Sequence, residues 1–260
     1  TWVPRLAPGS IAAGGHGLIR SAHALRALGD TDSDARRHEL SQGLAYWAAR
    51  YQELPGPPVP IGRLGADEAL STLPYLPDDA SEEGHIAQRV GQVALIADEL
   101  EQAVASLEPP DNASVALVDL AVGGARAYRR NADSSAVALV HAVTMPMAMA
   151  LTVPLLQPAD RSAAFAYLWQ ALASLHVVFA PVRGLHAAGG PVPGGGPEED
   201  ALGSGAADLA PADEVIGRAV ASGDEHAIKL AEASLRAYAV RPDPNLILAS
   251  LDASERLAVR

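Results

Sequence analysis

The chain has 260 residues, of which 49% are hydrophobic and 19% charged, and its net charge at pH 7 is −12. This composition supplies ample apolar material for a core and excludes an intrinsically disordered chain. The acidic balance disfavours nucleic acid and anionic membrane surfaces as partners, because both are bound through clustered lysines and arginines. The chain has no cysteine, which excludes disulfides, thiolate metal sites and iron–sulfur clusters and fits a cytoplasmic location.

Apolar residues recur with helical period along most of the chain. The first predicted helix covers about 10–28 and ends at Gly29, the second covers about 34–54 before a proline-rich stop, and the third covers about 81–107. There is no hairpin pattern and no alternation of strands with helices. The sequence therefore predicts an all-α fold, a single domain over 1–260 built from packed, Ala-rich helices. Further helices are predicted at about 113–130, 134–150, 159–180, 211–221, 224–239 and 244–257.

Three segments stand apart from this helical pattern. A Gly/Pro-rich stretch at 187–205 is predicted to be a loop or a lid, because such a composition cannot hold a regular element. The longest apolar stretch, 142–156, is too short and too rich in proline to span a bilayer. The abrupt start at Thr1 suggests that an N-terminal portion of the domain is missing, so that a separate fragment or a second copy of the chain could complete it.

Known catalytic and nucleotide-binding motifs are absent, so the candidate chemistry depends on histidines. His16 and His23 are seven residues apart, about two helical turns, which places both imidazoles on nearly the same face. A metal ion between them and a facing helix is geometrically reasonable. The alternative interpretation is a coincidence of core or surface histidines.

His226 and Lys229 are three residues apart on one helix face. Lys229 is the only lysine of the chain, beside eighteen arginines. Unlike arginine, a buried lysine can lose its proton, and the neutral amine can react with CO2 to give a carbamate, an anionic oxygen ligand for a metal. The alternative interpretation is an ordinary surface lysine.

Two further histidines lie within apolar helical patterns. His141 is followed closely by Met145, Met147 and Met149, and His176 has a similar setting. Each is either a core histidine with its hydrogen bonds satisfied or a functional group, and methionines most often fill cores. Imidazoles from several helices, with an oxygen ligand beside them, favour iron chemistry with O2.

Five segments, in the same order along nearly the whole chain, resemble the questin oxidase-like family, especially its bacterial branch. The resemblance implies an all-α fold and an oxygenase that uses O2 on anthraquinone- or anthrone-type aromatic polyketides, including oxidative cleavage of a ring carbon–carbon bond. The matching strings are WVPRLAPGSIAAGGHGLIRSAHALRAL, LAYWAARYQELP, HAVT, YLWQALASLHVVFA and DEHAIKLAEASLRAY.

The resemblance also implies a non-haem Fe(II) site made of histidines and a carboxylated lysine. The same histidines are expected to be the catalytic groups, while a requirement for NADPH stays open. Arg20, Met145, Trp169 and His176 are candidate substrate contacts, with Tyr167 and Phe179 as further walls of an apolar pocket. Carried onto this sequence, the ligands are His16, His23, His141, His226 and Lys229.

One departure concerns the residue before the first histidine, which is bulky in many family members and is Gly15 here, so that we expect a wider pocket at this point. Two alternative functions remain open. A cofactor-independent oxygenase would use the same histidines as acids and bases, and a non-catalytic helical protein would bind a polyketide without consuming O2.

Overall fold

The computed structural model describes residues 2–180 and 209–259 and shows an all-α protein, as predicted. In these two ranges there is no β-strand, and Leu64 and Leu107 form an isolated bridge. The predicted loop at 187–205 lies outside the described residues. The helices are α1 (Val3–Leu6), α2 (His16–Asp30), α3 (Asp34–Ala49), α4 (Ala66–Ser71), α5 (Ile86–Val90), α6 (Ala97–Ala105), α7 (Ala113–Leu139), α8 (His141–Thr152), α9 (Pro158–Phe179), α10 (Ala212–Ser222), α11 (Glu225–Val240) and α12 (Pro244–Arg256).

The first predicted helix, at 10–28, differs from the structure at both ends. Three consecutive residues, Ala13, Gly14 and Gly15, have φ values of 51°, 68° and 91°, and right-handed helix cannot continue through this left-handed region. Helix α2 therefore begins only at His16, after a 3₁₀ turn over Ala12–Gly15, and it continues through Gly29 to Asp30.

Two other predicted helices are shorter or broken. The second ends at Ala49 rather than near 54, and the third is divided into α5, a 3₁₀ segment over Gly91–Ile96, and α6. The break falls at Ile96, whose φ and ψ of −132° and 39° are not helical. Periodicity continues across these breaks because short helices on the same core share one apolar face.

Helix α8 is the centre of the fold, since α2, α7, α9 and α11 all pack against it. The helices approach one another closely because small residues lie where they cross. A Cβ on Gly124 of α7 would lie 2.2 Å from the carbonyl oxygen of Ala142, and a Cβ on Gly17 of α2 would lie 2.8 Å from Trp47 of α3. Any larger residue at these two glycines would push the helices apart.

Helix α9 is long and apolar enough to cross a membrane by length and composition alone. Within the protein, however, 78% of its most apolar window is buried against other helices. Trp169 is fully buried at its centre and donates its indole N–H to the carbonyl of Val104, 3.0 Å away. This is the environment of a core helix.

Candidate metal centre

Three histidines meet where α2, α8 and α11 begin. His16 is the first residue of α2, His141 is the first residue of α8, and His226 is the second residue of α11. Because α8 packs against both other helices, their first turns converge. We call His16, His141 and His226 the histidine trio.

The imidazole rings of the trio are in mutual contact. The ring centroids of His16 and His141 are 4.9 Å apart, and the centroid of His226 lies 5.7 Å from the first and 5.6 Å from the second. One ring nitrogen from each residue lies within 4.8 Å of the other two. Ligands about 2.1 Å from one ion in tetrahedral geometry are about 3.4 Å apart, so small rotations of the rings suffice to enclose a metal.

His141 presents a defined nitrogen to the trio. Its Nδ1 lies 3.0 Å from the carbonyl oxygen of Val137 and 3.2 Å from that of Ala138, so Nδ1–H donates and Nε2 keeps its lone pair. Burial, and then the neighbouring His16 and His226, lower its pKa to about 3. His141 is therefore a neutral imidazole, the form that binds metals.

His16 owes its position to the turn before it. Gly15 has a φ of 91°, and a Cβ there would lie 2.6 Å from both Cγ and Sδ of Met145. The expected wider pocket at Gly15 is wrong, because the side chain of Met145 fills that space. The Nε2 atom of His16 is buried and has no hydrogen-bond partner. Burial lowers the pKa of His16, as do the charges of Lys229 and His226, and this again favours the neutral ring.

His226 is fixed by the residue that caps its helix. Asp224 accepts hydrogen bonds from the backbone N–H groups of His226 and Ala227, at 2.8 and 3.3 Å. The same oxygen lies 3.3 Å from Nδ1 of His226, and the Nε2 atom is 3.8 Å from a carboxylate oxygen of Glu225. Nδ1 of His226 is buried and makes no hydrogen bond, so the Asp224 carboxylate lies near the ring without bonding to it. A hydrogen bond from such a carboxylate is the usual way in which proteins orient a histidine ligand.

The structure does not bring His23 into the trio. Seven residues are two turns of helix but also about 10 Å along its axis, so a shared face does not place His23 beside His16. Its Nε2 lies 3.9 Å from Glu232 and its Nδ1 lies 3.2 Å from Nη2 of Arg26. Burial lowers the pKa of His23, whereas the charge of Glu232 opposes that shift.

Lys229, the predicted fifth ligand, lies at the edge of the trio. Its side chain is 28% exposed, and its Nζ is 3.3 Å from a carboxylate oxygen of Glu225. Its charge lowers the pKa values of both His16 and His23, which places it near these two imidazoles. Lys229 is therefore close to His16 and paired with a carboxylate.

Of the predicted substrate contacts, Met145 lies beside the trio, where its side chain packs against Gly15, the residue before His16. Arg20 instead forms a two-point salt bridge with Glu39, at 2.7 and 3.0 Å. Trp169 is a core residue whose indole N–H is already used. His176 is buried in α9 with its Nδ1 2.8 Å from the carbonyl oxygen of Leu172.

The two further aromatic candidates have partners of their own. The guanidinium of Arg89 lies over the ring of Phe179, 4.4 Å from its centroid, and Tyr167 packs at the edge of the main core. The flat apolar pocket around the substrate ring stays a prediction.

Sequence reasoning missed the acidic residues beside the trio. Asp224 and Glu225 directly precede His226 and lie next to its imidazole. The string DEH contained the signal, since an N-cap aspartate two residues before a histidine holds its carboxylate near that imidazole.

The donor set fits a metal ion. Among the described residues, the trio is the cluster of three or more histidine, aspartate or glutamate groups whose ligand atoms lie within metal-binding reach. Two of its imidazoles have lowered pKa values, and two of its nitrogens, Nε2 of His16 and Nδ1 of His226, are buried without a hydrogen-bond partner. Comparisons with protein-family models, curated proteins and solved structures find no match to this chain. The trio is therefore the feature of the described structure that bears on function.

Proposed function

We propose that this protein is a metal-dependent oxygenase that acts with O2 on an aromatic polyketide of anthraquinone or anthrone type, with oxidative cleavage of a ring carbon–carbon bond. The observation that carries the proposal is the convergence of His16, His141 and His226 from three helices. Imidazoles suit iron, copper, nickel and zinc, and the resemblance to questin oxidase-like proteins favours iron among these.

The trio would hold the ion through neutral ring nitrogens. His141 contributes Nε2, because its Nδ1–H is committed to backbone carbonyls, and His16 contributes the buried Nε2 that has no other partner. When bound, Fe(II) supplies Lewis acidity and an electron donor for O2 chemistry. Asp224 holds the backbone at His226 for the same purpose.

Positive features beside the trio favour a negatively charged substrate. Of the two carboxylates next to His226, Asp224 is bonded to the backbone of α11 and Glu225 is paired with Lys229. The positive ends of the α2 and α11 dipoles meet at the trio, and such helix N-termini stabilise anions. Lys229 adds a positive charge beside His16. A hydroxyaromatic substrate would therefore bind as its phenolate or enolate, the form that reacts most readily with O2.

Lys229 has two chemically distinct roles in this proposal. As a carbamate it would give the ion an anionic oxygen ligand, and as an ammonium paired with Glu225 it would hold the substrate anion. Replacement by arginine separates the two roles, because arginine keeps the positive charge and cannot form the carbamate.

Metal content and O2 consumption test the proposal. We expect about one iron per chain in the wild type and almost none in His141→Asn, because asparagine keeps a donor at the position of Nδ1 and lacks Nε2. With a hydroxyanthraquinone or anthrone present, an oxygen electrode should record uptake by the iron-loaded wild type only. Equal metal content in the two proteins would overturn the proposed site.

A second function is favoured by the buried Nε2 of His16, which has no hydrogen-bond partner and can accept a proton. Neutral imidazoles could act as bases in a cofactor-independent oxygenase, which removes a proton from the hydroxyaromatic before O2 adds to the ring. Full O2 uptake by the chelator-treated wild type would establish this alternative. Substrate binding without any O2 uptake would indicate a polyketide-binding protein.

A further inference from the structure

A second set of contacts joins the three helices that carry the trio. These contacts lie further along the helices than the first turns that hold the histidines. Glu232 of α11 accepts hydrogen bonds from Arg26 of α2 and from Arg236, one turn further along α11. Arg236 also donates through both terminal nitrogens to the carbonyl oxygen of Met147 in α8, at 3.1 Å each. We call Arg26, Glu232, Arg236 and the Met147 carbonyl the three-helix clamp.

The clamp is partly shielded from water. The side chains of Glu232 and Arg236 are 29% and 26% exposed, and Arg26 is 39% exposed. Burial by itself would raise the pKa of Glu232, but the hydrogen bonds and charges of the two arginines outweigh it and lower that pKa. An ionised carboxylate between two guanidiniums is a strong and directional contact.

The position of the clamp relates it to the metal site. Met147 and Glu232 each lie six residues beyond a trio histidine, about 9 Å along their helices, and Arg26 lies about 15 Å beyond His16. Helices α2 and α11 both pack against α8, while close backbone contacts between α2 and α11 are few. The ion pair of Arg26 with Glu232 is therefore a direct link that holds α2 and α11 in register.

We propose that the three-helix clamp positions the histidine trio: Glu232 and Arg236 fix α11 on α8 and draw α2 towards both, so that the three ring nitrogens stay within reach of one metal ion. This inference rests on the proposed function, since it assigns positioning residues to the same site. Rotation of α2 or α11 by about 10° about its axis would move an imidazole, about 6 Å from that axis, by about 1 Å, which exceeds the tolerance of about 0.5 Å of a functional site.

The two arginines of the clamp make different contacts, and this allows a specific test. Arg26 reaches Glu232 through a single nitrogen, Nη1, so lysine can replace it as a point charge. Arg236 uses its planar group on two acceptors at once, and lysine cannot reproduce that fork. Arg26→Lys should therefore retain the metal affinity that Arg26→Gln loses. Arg236→Lys should lose metal affinity as Arg236→Gln does.

Asp252 of α12 offers a matched control. It accepts a hydrogen bond from Arg256, one turn further along the same helix, and another from the hydroxyl of Tyr128 in α7. Its side chain is 35% exposed, close to the value for Glu232. Asp252→Asn breaks a network of the same design that touches none of the three helices of the trio.

The experiment is Co(II) titration of the metal-free chain, followed by calorimetry and by the visible d–d spectrum at saturation. We expect Glu232→Gln, Arg26→Gln and Arg236→Lys to weaken Co(II) binding by about 10–100-fold and to alter the spectrum at saturating metal. Arg26→Lys and Asp252→Asn should bind within about threefold of wild type, with an unchanged spectrum.

The outcomes separate the two proposals. If the wild type and His141→Asn bind Co(II) equally poorly, the proposed metal site itself fails. If the wild type binds and Glu232→Gln gives the same affinity and spectrum, the positioning role is wrong. A purely structural role predicts lower melting temperatures for Glu232→Gln and Asp252→Asn alike with the wild-type spectrum in both, and that result also overturns the inference. If Glu232→Gln does not fold, the comparison of Arg26→Gln with Arg26→Lys tests the positioning role instead.

Discussion

His141 and His176 occupy two regions of the molecule that look alike along the chain and differ in space. Both residues are buried in apolar helices, and the Nδ1 of each lies within hydrogen-bonding distance of the carbonyl four residues earlier. His141, on α8, has two other imidazoles within 6 Å between ring centroids. His176, on α9, belongs to no such cluster in the described part of the chain. The comparison teaches that convergence of helices, rather than the local setting of a histidine, creates the candidate site.

The backbone shows the same contrast between the two regions. The chain enters α2 through three left-handed residues, and one of them, Ala13, has a side chain that disfavours this conformation. The chain enters α9 through Pro158 at its first turn with ordinary extended backbone before it, which is a low-energy start for a helix. Strain of this kind is found preferentially at functional sites.

The largest expected effect comes from exchanging each of the two histidines for asparagine. The amide nitrogen of asparagine can replace Nδ1–H towards the backbone carbonyl but offers nothing at Nε2. We expect His141→Asn to weaken Co(II) binding by more than about 100-fold, above the range typical of an outer-shell change, and His176→Asn to leave it within about twofold. Isothermal titration of both variants measures this. Equal losses in both would mean that the trio is not the binding site.

The next effect tests the turn that positions His16. Gly15→Ala would place a Cβ at a φ of 91° and 2.6 Å from the buried Met145 side chain, so we expect a loss of about 2–3 kcal/mol in the free energy of unfolding. Gly29→Ala, in the same helix with no atom within 4 Å of the new Cβ, should instead stabilise by up to about 1 kcal/mol. Urea denaturation measures the free energy of unfolding of both variants. A neutral Gly15→Ala would contradict the packing of Met145 against this turn.

The smallest expected effect is a change in how the stability of the metal-free chain depends on pH. The pKa of His141 is about 3 in the folded protein and ordinarily 6.5, so the unfolded chain gains a proton as pH falls through 6.5 while the folded chain does not. The resulting loss of stability between pH 7.5 and pH 5 is about 2 kcal/mol. The stability of His141→Asn should therefore fall by about 2 kcal/mol less than that of wild type over this range. Parallel pH dependence in the two proteins would show that His141 titrates normally.

The sequence predicted the helical class and most of the helices because α-helical periodicity is a local property. The predicted segments at 159–180, 211–221, 224–239 and 244–257 correspond closely to α9, α10, α11 and α12. The first predicted helix was wrong at its start because positive φ at Ala13 is a tertiary constraint. The Gly14-Gly15 pair was a local signal for a break, but it does not indicate positive φ at Ala13, since alanine itself favours right-handed helix.

The candidate site was predicted only in part, for a related reason. His16, His141 and His226 stood out by residue type and by a family resemblance, and the structure brings these three together. His23 shared the face of His16, but the rise of the helix carries it about 10 Å away and beside Glu232. Trp169 and His176 were chosen as substrate contacts by residue type, but both are buried in α9, a core helix of the protein.

The sequence alone predicted a helical protein without thiols, and it singled out histidines and a single lysine as candidate chemical groups. Composition and periodicity suffice for these statements because each depends on residues near one another in the chain. The tertiary structure alone decided which histidines meet, which carboxylates lie beside them and which arginines link their helices. Those contacts join residues up to 210 positions apart (His16 with His226), and only the packing of α2 and α11 on α8 brings them within a few ångströms.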